Sequence, residues 1–427
     1  MRRSGQIVLT ALAVLAAIYA VSVSWRQNER AAGLDFYIYY VNAQLAGRAD
    51  VHSGKDNIYD RDVQSRIGEE YHERGLRSGS ELRRFDASRR RFLDSVSSPF
   101  LYTCLSWVSR DYDRALRQYH VAVLAAFLAG FLLIARAVRL SWASALFLLA
   151  ALLLWYRGFE ADLRVGNVNS LQLLILGASL LSPPLIAGAI AGMLVAFKPN
   201  LILIPLLLVG ARMAARDWRR LRLEVLGGAA GVAIAIVAAA IRYGSFDVWL
   251  QWIARANEFY HRLPTRTERN VTPLLMLFHE QGAWVSYTVA LLLTTIAAVA
   301  IWRGKSRDDV MIAGVAILIY LLSATVVWLH YMVLVVPVAL ALMRSRTGAA
   351  VSLLALAAIA EEPFEIVTRI AVYPNDAKLI GPALFALFAC AIWKLATPPP
   401  NAPLWRSSAP HPARAAASAH PQTSPPV

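Results

Sequence analysis

IVLTALAVLAAIYAVSVSW, Ile7 to Trp25, has no charged side chain and follows Arg2 and Arg3. A hydrocarbon core of about 30 Å needs about 20 apolar residues in a helix, so this run is long enough to cross a bilayer. A secretory signal would share the basic start, but the length of the run and the spans behind it favour an uncleaved first helix.

The rest of the chain repeats the pattern. Of its 427 residues 57% are apolar and only 17% are charged, and a mean hydropathy of +0.47 is too high for a soluble domain of that length. Further apolar runs lie near 118–135, 141–156, 168–182, 184–197, 199–213, 225–241, 284–302, 309–327, 331–343, 350–361 and 379–395. They predict an all-α polytopic membrane protein, a bundle of about twelve transmembrane helices in one domain over 1–396. The runs around Pro183, Pro184 and Lys198 are shorter than a full span. GAIAG, Gly188 to Gly192, has the GxxxG spacing of closely approaching membrane helices and reads as packing within the bundle. The tail 397–427 is rich in Pro, Ala and Ser, too poor in apolar surface to fold, and reads as disordered and cytoplasmic.

Short connections keep Lys and Arg on the cytoplasmic side. Arg2 with Arg3, Arg136 with Arg139, ARMAARDWRRLR at 211–222, RGKSR at 303–307 and RSR at 344–346 share one face if there are twelve spans. The opposite, external face then receives 26–117, 242–283 and the turns near 157–167, 198–200, 328–331 and 362–378, and the functional residues are expected there. The net charge of +15 is spread over membrane loops and tied to no reader motif, which argues against nucleic acid. Cys104 and Cys390 lie far apart, with no zinc or disulfide spacing.

Segment 26–117 is far longer than a bundle connection needs. Val63, Ile67, Tyr71 and Leu76 have helical spacing, which predicts short interfacial helices with Phe100, Leu101, Tyr102, Leu105 and Trp107 dipping into the membrane boundary. SELRRFDASRRRF, 80–92, reads as a solvated face. Near the start of the loop, GLDFYIYYVNAQLAG sets Asp35 among Phe36, Tyr37, Tyr39 and Tyr40. Read locally, Asp35 is the N-cap of a helix that ends at Gly47; a catalytic base is the competing role, and the two are compatible.

Lys198 places a cation at the joint of two apolar runs, either as a snorkelling side chain or as a functional charge. His330, flanked by Trp328 and Tyr331, is an interfacial, core or functional imidazole. Arg255, His261, Arg262, Arg266 and Arg269 suit a phosphate, with loop solvation as the alternative. DYD, Asp111 to Asp113, has the spacing of a metal-nucleotide site but reads as a surface pair.

Taken in order, DFYIYYVNAQLAGRADVHSGKDNIYD, SPFLYT at 98–103, GNVNSLQLLIL at 166–176, FKPNLILIPLLLV at 197–209 and WLHYMVLVVP at 328–337 resemble glycosyltransferase family 87. That is the polyprenyl-phosphate-mannose-dependent mannosyltransferase group of GT-C membrane enzymes. The resemblance covers most of the chain up to about residue 345. It implies a GT-C-like bundle with Asp35 as general base. Gly166, Asn167 and Asn169 match a GQxN-like element with Asn167 in place of Gln; Lys198 with Pro199 and Ser323 with Trp328 and His330 match two more. Tyr331 stands where a second His is frequent, and Cys104 where Pro is common.

What the resemblance implies is an inverting transfer of a hexose, mannose by analogy, from a polyprenyl-phosphate sugar donor to a glycolipid or glycan acceptor outside the cell membrane. Asp35 and His330 would be catalytic. Lys198, Arg262, Arg266 and Arg269 would hold the donor phosphate, and Tyr39, Tyr40, Asn167, Asn169 and Trp328 would line the substrate site, with no metal and no cofactor. A transporter or flippase, or a ligase or polymerase of lipid-linked glycans, are the competing classes. The first has no need of the long loop opened by a carboxylate; the second differs in carrying a glycan on its donor.

Overall fold

The computed structural model describes residues 2–45, 58–262, 270–274, 283–304, 306, 308–360 and 376–397. Nearly all of the expected tail over 397–427 and the helix end at Gly47 lie outside them. Among the described residues there is no β-strand, only the single bridges Tyr156 with Ala360 and Asn270 with Trp328.

Each apolar run is helical. In chain order the helices are α1 (Arg2–Asn28), α2 (Leu34–Leu45), α3 (Arg61–Leu76), α4 (Glu81–Arg89), α5 (Pro99–Cys104), α6 (Tyr112–Ala137), α7 (Trp142–Trp155), α8 (Arg157–Val165) and α9 (Asn169–Leu181). They continue with α10 (Pro184–Phe197), α11 (Leu203–Ala214), α12 (Trp218–Tyr243), α13 (Asp247–Arg262), α14 (Ala283–Gly304), α15 (Asp309–Ser323), α16 (Val336–Leu342), α17 (Arg346–Ile359) and α18 (Asp376–Ala396). Five of them, α1, α6, α12, α14 and α18, are long and apolar enough to cross a membrane, whereas the other apolar helices have 10–17 residues when the 3-10 turns leading into α11 and α16 are counted with them. Proline shortens several of these: Pro184 opens α10, Pro199 opens a 3-10 turn before α11, and Pro337 opens α16 behind a 3-10 segment, Leu329–Val335. Lacking an N–H, each is accommodated in a first turn and not in a helix interior.

The solvent can be read from exposure. On α1, Ile7 is 70% and Leu15 63% exposed, a density of bare apolar side chains that only lipid would tolerate. In α15 every residue from Val310 to Ser323 except Tyr320 is buried, so this helix is the axis of the bundle. These are the helices of a multi-pass membrane protein.

Gly192 lies on α10 where it crosses α12, and a Cβ there would come within 2.2 Å of the Gly228 carbonyl oxygen. The GAIAG motif therefore serves packing within the bundle, where backbone contact replaces a hydrophobic drive. At the far ends of α11 and α15, Arg212 is 2% exposed and forks onto Glu224 at 3.1 and 3.2 Å while also donating to Asp309 Oδ2 at 2.7 Å. Arg220 donates to the same two carboxylates at 2.7 and 2.5 Å. Arg344 pairs with Asp308, the N-cap of α15. These ion pairs lock α11, α12 and α15 at one end.

The other end is covered by α2 to α5. Their starts are written in capping residues: Asp60 for α3, Ser80 for α4 and Ser98, followed by Pro99, for α5. Val63, Ile67 and Tyr71 form the buried face of α3, as their spacing predicts, while Leu76 is exposed. Two expectations are corrected. Leu101, Tyr102 and Leu105 are in the protein core and not in a lipid interface; only Trp107 of that group is exposed. SELRRFDASRRRF is solvated on one side only, with Glu81, Phe85, Ser88, Arg89, Arg91 and Phe92 exposed; Asp86 and Ala87 are fully buried, because Asp86 Oδ2 accepts from the Gly33 N–H at 3.1 Å and the Tyr112 hydroxyl at 2.5 Å.

Two substitutions test the packing. Gly192→Leu forces α10 and α12 apart and is expected to abolish a monodisperse detergent-solubilised species. Arg212→Met leaves Glu224 and Asp309 sharing only Arg220 and is expected to cost about 3–5 kcal/mol, read as a large fall in apparent melting temperature.

Candidate active site

Asp35 lies in the first turn of α2, not at its cap. Its carboxylate is turned outward from the helix: Oδ1 accepts from Arg90 Nη2 at 3.1 Å and Oδ2 from Asn167 Nδ2 at 2.7 Å. Arg90 also donates through Nε to the Leu34 carbonyl at 3.2 Å, gripping the helix start. The Asp86 contact with Gly33 holds the same entry from the other side, and burial raises the Asp86 carboxyl against those hydrogen bonds. The Asp35 and Arg90 side chains remain 23% and 29% exposed, so the carboxylate is reachable from outside the protein.

Asn167 joins this carboxylate to a cation. Its Oδ1 accepts from Lys198 Nζ at 3.1 Å, from the Val168 N–H at 2.8 Å and from Asn169 Nδ2 at 3.2 Å. With three donors on the oxygen, the amide nitrogen has to face Asp35. The turn that presents it depends on Gly166, whose φ of 70° is the left-handed conformation that ends α8. Tyr119 donates to the Asn167 carbonyl at 2.8 Å.

Lys198 Nζ lies 4.8 Å from the centroid of the Tyr331 ring. His330 is buried between Trp328, stacked at 5.8 Å, and Tyr331, edge-on at 4.7 Å. Its carbonyl accepts from Asn169 Nδ2 at 3.2 Å, and its Nε2 is buried with no hydrogen-bond partner. Asn270 fixes the strand-like segment before it, accepting from the Val327 N–H at 2.9 Å and donating to the Thr325 carbonyl at 3.0 Å.

Asp35, Asn167, Asn169, Lys198, Trp328 and His330 thus converge as the sequence motifs imply. Tyr40 does not join them: its hydroxyl donates to the Arg110 carbonyl and its ring packs on Tyr112 at 5.1 Å. Tyr39 is buried against Tyr102. Together with Phe36, stacked on Tyr119 at 4.5 Å, these aromatics are the wall that holds α2. Arg255 is committed to Glu258 at 3.0 Å. The Arg262 side chain, Arg266 and Arg269 lie outside the described residues. Asp111 caps α6 and Asp113 accepts from the Ser80 hydroxyl at 2.5 Å, so both carboxylates of the DYD motif have structural roles.

A carboxylate reachable from outside, a cation one amide away and an imidazole with an open nitrogen suit acid-base and anion-stabilising chemistry. The sequence model of glycosyltransferase family 87 matches residues 96–327. The chain belongs to that family. Comparison with curated proteins and with solved structures gives no match. This membrane glycosyltransferase keeps Asn167, Asn169 and Lys198 inside the matched span, and the fold adds Asp35, Arg90, Trp328 and His330 from either side of it.

Three residues escaped the motifs. Arg90 is one of three consecutive arginines, Asn270 is an unremarkable loop amide, and Asp162 sits in α8 with no pattern around it. The available signal for Asp162 was a carboxylate in a short connection on the face that also receives Asp35.

The Asn167 bridge and the Arg90 pair are separable by stability. Asn167→Ala strands buried donors and is expected to cost about 1–3 kcal/mol, whereas Arg90→Ala removes a part-exposed pair worth about 0–1 kcal/mol. Thermal melts of the two variants should rank in that order; equal losses would show that the amide carries no more than the ion pair.

Proposed function

We propose that this glycosyltransferase moves a hexose from a polyprenyl-phosphate donor to a glycolipid or glycan acceptor on the external face of the cell membrane, with inversion. The observation that carries the reading is the row Arg90, Asp35, Asn167, Lys198, which sets a base and a cation one amide apart. The row lies at the opposite ends of α11 and α15 from the Arg212 ion cluster. Basic short connections gather on that second side, which supports a cytoplasmic assignment for it and an external one for the site. Nucleotide sugars are cytoplasmic, so an external site calls for a sugar already carried across on a lipid. The same topology supports a membrane domain over 1–396 with the tail beyond it cytoplasmic.

In the step, Asp35 takes the proton of an acceptor hydroxyl while that oxygen bonds to the anomeric carbon from the face opposite the phosphate. The bond from the anomeric carbon to the phosphate oxygen breaks, and its electron pair leaves with the polyprenyl phosphate. Lys198 Nζ and His330 Nε2 are the cation and the open nitrogen available to that charge, acting in a water-poor site where fixed donors are strongest. Arg262, Arg266 and Arg269 would add to the clamp. Mannose is the hexose that the family resemblance favours.

The test is purified protein in lipid, given radiolabelled polyprenyl-phosphate mannose and a membrane-lipid and glycan extract. Transfer is expected, and Asp35→Asn should lower it by about 10²–10⁴-fold with donor binding kept. Parent-like activity in Asp35→Asn would remove the base. Cysteine labelling that placed positions 35 and 330 on opposite sides of the membrane would remove the site itself.

A further inference from the structure

Asp162 is fully buried in α8, has no place in the motifs, and is engaged at both oxygens. Oδ2 accepts from the Ser170 hydroxyl at 2.6 Å and the Ser170 N–H at 3.0 Å. Oδ1 accepts from Asn169 Nδ2 at 2.9 Å and, more loosely, the Asn169 N–H at 3.4 Å. The residue before α9, Val168, offers no side-chain cap, so the carboxylate of another helix does this work for α9.

The same contact fixes direction. Because Oδ1 of Asp162 can only accept while ionised, Asn169 has to present its nitrogen, and that nitrogen also reaches Asn167 Oδ1 at 3.2 Å and the His330 carbonyl at 3.2 Å. Asn167 is thereby held with its oxygen toward Asn169 and Lys198 and its nitrogen toward Asp35. The Asp162 carbonyl takes the Asn167 N–H at 3.0 Å, fixing the backbone of the same residue.

We infer that Asp162 is a positioning residue of the transfer reaction, acting through Asn169 to orient the Asn167 amide between Asp35 and Lys198. Burial pushes the Asp162 carboxyl up to about 6, which leaves it ionised as an acceptor at neutral pH. An asparagine at 162 that keeps its oxygen toward Ser170 turns its own nitrogen toward Asn169 Nδ2. Two donors then face each other, and the Asn169 amide has to turn over.

The catalytic readout rests on the proposed donor. With the full chain in lipid nanodiscs and polyprenyl-phosphate mannose as the probe, Asp162→Asn is expected to lower kcat by about 10–100-fold, the scale of a misplaced catalytic geometry, with donor KM within about threefold. In an Asn167→Ala background the same change should lower kcat by less than about threefold, because the amide it orients is gone. An undiminished loss in that background, or an unchanged kcat in the single variant, overturns the inference. Asn169→Ala cuts the relay at its middle while sparing the Ser170 contacts, and the same pattern is expected if Asp162→Asn does not fold. Should the parent transfer nothing from this donor, the functional reading fails on its own, and melting temperatures decide the relay. Losses for Asn169→Ala and Asn167→Ala that are less than additive support it, and strictly additive losses refute it.

Discussion

One side-chain amide holds the site together. Asn167 meets a carboxylate with its nitrogen and an ammonium with its oxygen, and each of its remaining contacts serves to keep it from turning over. A direct ion pair between Asp35 and Lys198 would neutralise both groups against each other and leave neither for a substrate. In the proposed reaction the interposed amide keeps them close enough to act on one molecule and far enough apart to stay open. The Gly166 turn and the Tyr119 hydroxyl bear directly on that amide's residue, and the α8 carboxylate does so through Asn169.

The same economy explains the layer of short helices above it. Asp35 belongs to a 12-residue helix that no membrane span continues, so its position has to be imposed from outside. Asp86 and Arg90 grip its first turn, while Phe36, Tyr37 and Tyr40 lock its body against Tyr112 and Tyr119. Aromatic packing suits the task, since large rings bury much area with few torsions to freeze. The consequence is that these tyrosines, which next to a carboxylate invite reading as a sugar platform, are spent on the scaffold.

How far the sequence discloses this depends on the range of the signal. Apolar runs are local, and each was helical where it was expected; proline at the start of several made them shorter than full spans. Asp35, Lys198 and His330 stood out because charge or imidazole beside apolar sequence is costly wherever it is placed. Arg90 and Asp162 did not, since each lies in a polar stretch whose burial is decided by partners 55 and 8 residues away. An arginine in SELRRFDASRRRF looks solvated until the fold presents Asp35 to it. The cap reading of Asp35 failed for the same reason: two distant side chains offered its oxygens more than the local backbone did.

The ion cluster at the other end of the bundle has a history as well as a structure. Arg212 is buried in the finished protein against Asp309, 97 residues further along the chain. At synthesis rates of 5–20 residues per second, that arginine waits roughly 5–20 s for this second partner. During this interval Arg212 has only the nearer of its two carboxylates, Glu224, 12 residues away. Asp309 then closes over Arg212, which is buried, while Arg216, Arg219 and Arg222 of the same stretch stay exposed. The joint of α11, α12 and α15 is thus begun by a contact between neighbours in sequence and completed only when a helix made much later arrives, so the closing order of the bundle is written into the spacing of its charges.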